Sequence, residues 1–178
     1  MESIKLLALS GSLRKASYNA AAIEALKKLA PNYIEITSGA ICELPLFNPD
    51  IENENIPALD KLKSSLKESS GLIIASPEYA HGISGPLKNA LDWLVSGAEF
   101  PYKPIMLINT SPRASHAQEA LKEVLVTMSG LLIEKSHVSI SLLSSKLDSN
   151  GIIENKGMAK TLMDGLSHFY QEIISKKT

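Results

Sequence analysis

Three serines, an asparagine and a guanidinium share one short stretch, Ser10-Gly-Ser-Leu-Arg-Lys-Ala-Ser-Tyr-Asn19. The compact apolar run Lys5 to Ser10 precedes it, and Ile23, Leu26 and Leu29 or Ala30 follow at helical spacing. A loop between a buried strand and a helix is suited to an anion. Gly11 lets the backbone turn sharply, and the helix N-terminus offers oriented N–H groups with partial positive charge. Ser10, Ser12, Ser17 and Asn19 add donors, and Arg14 adds charge-assisted, bidentate-capable hydrogen bonds. A plainer reading makes Ser17 a helix N-cap and the other serines turn residues. That reading accounts for one hydroxyl and leaves Ser12 and Arg14 idle. No Gly-Lys-Ser/Thr follows and Gly-x-Gly-x-x-Gly is absent, which disfavours ATP and an ordinary dinucleotide site. A monophosphate fits better.

The second stretch with chemical content is Ser76-Pro-Glu-Tyr-Ala-His-Gly-Ile-Ser-Gly-Pro86. An apolar strand running into Pro77, Glu78 and Tyr79, with glycines close behind, predicts a rigid ledge of backbone amides and carbonyls. The polar edge of a flavin ring can be read by such groups, so the monophosphate is expected to be that of FMN. The competing reading is an ordinary connection with Tyr79 packed on the surface. A third stretch, Ser111-Pro-Arg-Ala-Ser-His116, adds Ser111 and Arg113 as candidate contacts.

The elements that must position these loops alternate. Short apolar runs at Lys5–Ser10, Tyr33–Thr37, Leu72–Ser76 and Pro104–Asn109 read as buried strands. A fifth strand begins at Leu131–Ile133 and continues where Val138, Ile140 and Leu142 alternate with polar residues. Between them lie helical patterns: Leu59, Leu62 and Leu66 after Pro57; Leu87, Ala90, Leu91 and Leu94 after Pro86; Ala117 to Met128; and Ala159 to Ile174. Five strands alternating with five helices require a parallel sheet covered on both faces. Dinucleotide-binding and flavodoxin-like sheets both satisfy this pattern. In either, ligands collect at the carboxyl ends of the strands, which is where the three loops fall.

The totals narrow the function further. The 178 residues predict a single domain, 1–178, without an internal repeat or linker. A net charge of −1 without a basic cluster argues against nucleic acid, and the terminal Lys176 and Lys177 read as a solvated tail. An acidic start, Glu2, and the lack of any run near the ~20 apolar residues of a membrane span predict a cytoplasmic, soluble chain. The lone Cys42 excludes an intrachain disulfide and is expected to be a small buried hydrophobe. No histidine pair has metal-ligand spacing, and no Gly-x-Ser-x-Gly elbow exists, so metal and serine-hydrolase chemistry are not expected. The acids Glu43, Asp50, Glu52 and Glu54 read as a solvated loop. Trp93 is expected in the core or at a subunit contact.

GSLRKASYN and PEYAHGISGPLKNALDWLVS together resemble the two signature segments of the NADPH-dependent FMN reductase family, which includes chromate, quinone and azo-dye reductases. The order and spacing of the strands agree along essentially the whole chain. The resemblance implies a three-layer, flavodoxin-like α/β fold with five parallel strands in the order 2-1-3-4-5. It also implies that Ser12, Arg14, Ser17 and Asn19 hold the FMN phosphate, with Tyr18 beside them. Pro77, Glu78, Tyr79 and Ala80 become ring contacts, with His81, Ser111 and Arg113 as further cofactor contacts. NADPH or NADH is the implied co-substrate, a small molecule the acceptor, and a homodimer or homotetramer the assembly. No side chain is assigned a catalytic acid or base role.

Three departures stand out. Ala80 occupies a position where many members have Asn. Ser84-Gly85 replaces the usual Pro-Gly, with Pro86 one place later. The third loop lacks the Gly-Gly that often lies beside the ring, leaving Arg113 and His116 as substitutes or as contacts for the nicotinamide nucleotide. Two rival functions keep the fold: a flavodoxin-type electron carrier without NAD(P)H turnover, and a flavin-free regulatory module.

Overall fold

The computed structural model describes residues 1–113 and 115–176; Ala114 and the tail residue Lys177 lie outside them. Strand β1 (Ile4–Ser10) pairs in parallel with β2 (Ile34–Gly39) on one side and β3 (Gly71–Ala75) on the other. Their registers run from Ile4 against Ile34 and from Leu6 against Gly71. Two further short strands, β4 (Glu78–Tyr79) and β5 (Gly82–Ile83), form a separate antiparallel ribbon. Strand β6 (Pro104–Asn109) continues the main sheet beside β3, and its far edge carries β7 (Leu131–Leu132) and β8 (Val138–Ser139). The expected order 2-1-3-4-5 therefore holds, with β6 in fourth place and the fifth place shared by β7 and β8.

Helices α1 (Tyr18–Leu29), α2 (Pro57–Glu68), α3 (Gly85–Leu94) and α4 (Ser115–Thr127) occupy the expected connections. Two more, α5 (Ser149–Glu154) and α6 (Lys156–Ser175), close the chain. Side chains of a strand alternate between faces, so each strand feeds two cores. Leu6, Ala8, Ile73, Met106 and Ile108 pack with α1 and α6 through Ile23, Leu26, Leu166 and Phe169. Leu7, Leu9, Leu72, Ile74 and Leu107 pack on the opposite face with α2, α3 and α4.

Three expectations need correction. The fifth strand is broken by a 3-10 turn at Glu134–Ser136, where the Ser136 hydroxyl donates to the Ile133 carbonyl at 2.7 Å. Helix α6 presses closest at that point. A Cβ on Gly165 would stand 2.9 Å from the Ser136 carbonyl oxygen and 2.4 Å from a Val138 methyl. The alternation after the break survives: Val138, Ile140 and Leu142 are buried, and Ile140 and Leu142 still bond to Asn109 and Thr110. The final helical pattern is two helices, because Asp148 caps α5 through Gly151 N, and Asn155 ends α5 and caps α6 through Met158 N. Cys42 is exposed, since Ile41 and Leu44 take the inward positions around it.

Candidate functional site at the carboxyl ends of the strands

Gly11 accepts the role the sequence gives it. Its N–H donates to the Ala75 carbonyl at 2.8 Å, which ties the end of β1 to the end of β3. A Cβ there would lie 3.1 Å from both the Ser76 and Ser84 hydroxyls and 3.2 Å from Pro77 Cδ. Ser84, fully buried, donates to the Gly11 carbonyl at 2.6 Å while its oxygen caps α3 through Leu87 N. The first two loops thus lock together over a glycine. Serine, in the place where the family usually has proline, supplies the bond.

Past Gly11 the loop folds on its own hydroxyls. Ser10 Oγ accepts from Ser12 N at 3.3 Å, and Ser12 Oγ accepts from Arg14 N at 3.4 Å. Ser17 is the N-cap of α1, accepting from Ala20 N at 3.3 Å. As acceptors, Ser12 and Ser17 keep their own O–H protons uncommitted among the described residues. The capping and ligand readings of Ser17 are therefore compatible. Asn19 is buried, and its side-chain oxygen accepts from Thr110 Oγ1 at 3.0 Å, a bond that fixes its amide at the cleft wall. Arg14 is exposed, with no described carboxylate in ion-pair range.

Ser12, Arg14, Ser17 and Asn19, but not Ser10, line a cleft of about 170 Å³ together with Ala16, Tyr18, Pro77, Glu78, Tyr79, Thr110, Ser111 and Leu143. Pockets that swallow a drug-sized ligand are roughly 300–1,000 Å³, so this one has room for only part of a mononucleotide. Ser12, Arg14, Ser17, Tyr18, Asn19, Pro77, Glu78, Tyr79 and Ser111 are brought together as the sequence suggested. Ala80 and His81 do not line the cleft: they are the exposed tip of the β4–β5 hairpin. Arg113 does not line it either, and borders an adjoining depression with Ser111, Ser141, Leu143 and Ser144. Ala16, Thr110 and Leu143 were missed. Thr110 directly follows β6 and is found by the same strand-end rule that located the loops. Leu143, 55% exposed, carries no such signal.

The ledge itself is a two-residue hairpin. Ala80 and His81 have φ of 49° and 59°, the paired positive values of a type I′ turn. An ordinary L-residue in that region costs roughly 1–2 kcal/mol, whereas Asn tolerates it. Ala80→Asn should recover part of that cost and raise the thermal midpoint by about 2–4 °C per kcal/mol. A midpoint unchanged in calorimetry would show that the turn is not strained.

Glu78 lines the cleft with its carboxylate already engaged. One carboxylate oxygen accepts from Ala117 N at 2.9 Å in the first turn of α4, where negative charge is favoured. The other lies 3.3 Å from His81 Nδ1, and the His81 ring meets His116 edge-on at 4.5 Å. The side chain thus fixes the hairpin to α4. The second half of the PEY segment is structural as well. Asn89 accepts from Phe47 N at 2.7 Å and donates to the Pro45 carbonyl at 2.9 Å, which pins the 40–56 connection between β2 and α2.

Burial pushes the pKa of Lys103 and of His137 down, opposed in each case by a nearby glutamate, Glu99 and Glu134 respectively. Neither residue lines the cleft. Lys103 instead donates to the Leu66 and Ser69 carbonyls at 2.8 Å each, closing the end of α2. Among the described residues, no group of three or more His, Cys, Asp or Glu could hold a metal ion. No helix among them is long and apolar enough to cross a membrane.

A parallel sheet in this order, with a hydroxyl-rich loop at the switch between β1 and β3, defines a flavodoxin-like fold. The NADPH-dependent FMN reductase family model matches residues 4–142, and the chain belongs to that family. It is 33% identical over 156 residues to an NAD(P)H-dependent FMN reductase of Pseudomonas aeruginosa, covering 84% of each chain. It is 29% identical over 177 residues to a quinone reductase of Escherichia coli, covering 94% of each. Among solved structures, the flavoenzyme NAD(P)H:(acceptor) oxidoreductase FerB of Paracoccus denitrificans superposes with a TM-score of 0.72 at 24% identity. That alignment covers 94% of this chain and 98% of FerB, and it supports the flavodoxin-like fold.

Proposed function

We propose that this chain is an FMN-dependent oxidoreductase that takes electrons from NAD(P)H and delivers them to a small acceptor. The observation that carries the reading is the donor set at the first loop. Two hydroxyls with free protons, the Arg14 guanidinium and the N-terminus of α1 converge on one end of the cleft. The one lining carboxylate, Glu78, accepts from Ala117 N in the first turn of α4. That chemistry suits a phosphate monoester dianion and no cation.

Ser12, Arg14 and Ser17 would hold the phosphate, and Tyr18, Asn19 and Ser111 would line the path to the ring. Pro77, Glu78 and Tyr79 would support the ring through the ledge, with Ala80, His81 and Arg113 at its outer rim. When bound, FMN supplies the acceptance of a hydride from the nicotinamide and its onward transfer as electrons. The protein's part is orientation: Thr110 fixes Asn19, Glu78 fixes the hairpin, and Ser84 fixes Gly11. No side chain needs to move a proton. Quinone is the acceptor class we favour, because a relative covering nearly the whole chain is named a quinone reductase.

The same reading takes residues 1–178 as one domain, since both cores share a single sheet. It also takes the protein as a cytoplasmic homodimer or homotetramer. The exposed side chains of Leu46, Val95 and Val126 are available for a second copy to cover.

The test is a visible spectrum of the purified protein with FMN, followed by anaerobic NADPH and then NADH. Bound flavin that bleaches rapidly with either nucleotide is the expected result. Bound flavin that neither nucleotide bleaches would replace the reductase with an electron carrier, and absence of binding would remove the flavin altogether.

A further inference from the structure

The cleft ends at the first loop, and a second, larger recess begins there. It has a volume of about 730 Å³ and runs from the N-terminal turns of α1 to the 143–149 loop. Arg14, Ser17 and Tyr18 line both spaces. The boundary is therefore made of residues placed above at the FMN phosphate or beside it. FMN ends at that phosphate, so it leaves the recess unused.

The lining beyond the boundary has the chemistry of a nucleotide site. Lys15 comes from the first loop and Lys146 from the 143–149 loop, and neither has a carboxylate within 4 Å among the described residues. The backbone holds Lys146 in place: its N–H donates to the Tyr18 hydroxyl at 3.2 Å. Ser144 and Lys146 have φ of 62° and 57°, a conformation L-residues avoid unless their surroundings impose it. Ala20, Ala21 and Leu147 supply an apolar wall. Of the two acids present, Glu24 is engaged with Lys27 and Ser38. Asp148 accepts from Gly151 N through one oxygen, which leaves the other for a ribose hydroxyl.

We propose that this recess holds the AMP half of FAD, so that the chain takes FAD as well as FMN at one flavin site. The added phosphate lies between Lys15 and Lys146, and the adenine lies against Ala20, Ala21 and Leu147. FAD is FMN extended at its phosphate by AMP. A single ligand must then cross the boundary at Arg14, Ser17 and Tyr18, and the sharing of those residues is what the covalent structure requires. Two ammonium groups without internal partners suit the added phosphate, and a mostly apolar wall suits the purine. The inference rests on the flavin-binding part of the proposed function.

The test is calorimetric titration of the flavin-free full chain with FMN and with FAD, each purified from the other. FAD is expected to bind no more than about tenfold weaker than FMN. The double variant Lys15→Ala/Lys146→Ala should lose at least about tenfold in FAD affinity and less than about threefold in FMN affinity. Its retained FMN binding and far-UV circular dichroism establish that it is folded. FAD binding weaker than that limit in the parent overturns the inference and leaves the FMN reading standing. A smaller FAD loss in the folded double variant, or an equal loss for FMN, overturns it too, because the AMP half would then lie elsewhere. Absence of binding by either flavin removes the inference and the flavin reading together. FAD bound through the two lysines but bleached by neither NADPH nor NADH would sink the reductase and keep the recess as an AMP site.

Discussion

Arg14→Ala weakens FMN binding by tenfold or more and leaves the unfolding midpoint of the flavin-free protein within error of the parent. The two halves of this expectation come from different facts. A hydrogen bond to a charged partner contributes about 1.5–3 kcal/mol, and each 1.4 kcal/mol is about tenfold in affinity. The stability of the fold is insulated because the Arg14 side chain is exposed and has no ion-pair partner. Its backbone N–H bond to Ser12 Oγ survives truncation to alanine. Surface changes of this kind usually stay within about 0.5 kcal/mol. Quenching of FMN fluorescence on titration with apoprotein measures the affinity. The loss should shrink as salt is added, because an exposed charge is screened over about 8–10 Å at moderate ionic strength. Arg14→Lys should fall between the two, keeping charge without the planar fork. Equal affinities for parent and Arg14→Ala would remove the residue from the phosphate site and leave it to the neighbouring groove.

The loops were legible because each stands at the end of an apolar run, and parallel sheets place ligands there. Helix boundaries followed from Pro57, Pro86 and the spacing of leucines, which are local signals. What escaped the sequence was set by contacts between distant segments. The break in the fifth strand depends on how closely Gly165 lets α6 approach Ser136, a contact across nearly thirty residues of sequence. The outward turn of Cys42 depends on which of its neighbours the α2-side core accepts. Glu78 shows the same limit within the site. The resemblance marked it as a ring contact, while the amide that binds its carboxylate, Ala117 N, belongs to another helix. The resemblance marked Ala80 as a ring contact, and a two-residue turn places it with His81 at the tip of the hairpin, outside the lining of the cleft.

Trp93→Ala destabilises the protein by about 3–5 kcal/mol, the range for removing a fully buried large aromatic. Trp93 is 0% exposed and sits among the α2, α3 and α4 core residues, so it is unavailable as a subunit contact. Its ring meets Phe47 edge-on at 5.1 Å, and its Nε1 donates to the Pro45 carbonyl at 2.8 Å. Truncation does not orphan that carbonyl, because Asn89 also donates to it. The cost is therefore the cavity and the lost aromatic contact, with no unsatisfied polar group added. At about 2–4 °C per kcal/mol for a chain of this size, the midpoint should drop by roughly 6–20 °C. Trp93→Phe keeps most of the volume and should lose markedly less. Because Trp93 is the single tryptophan, unfolding of the variants is followed by circular dichroism instead of intrinsic fluorescence. A destabilisation below about 1 kcal/mol, accompanied by a changed elution volume on size exclusion, would mean that the residue faces a second copy in solution. An unchanged elution volume with the full loss would place its effect inside the monomer. There Trp93 and Asn89 hold the 40–56 connection against α3, whose N-cap is Ser84 with its bond to Gly11.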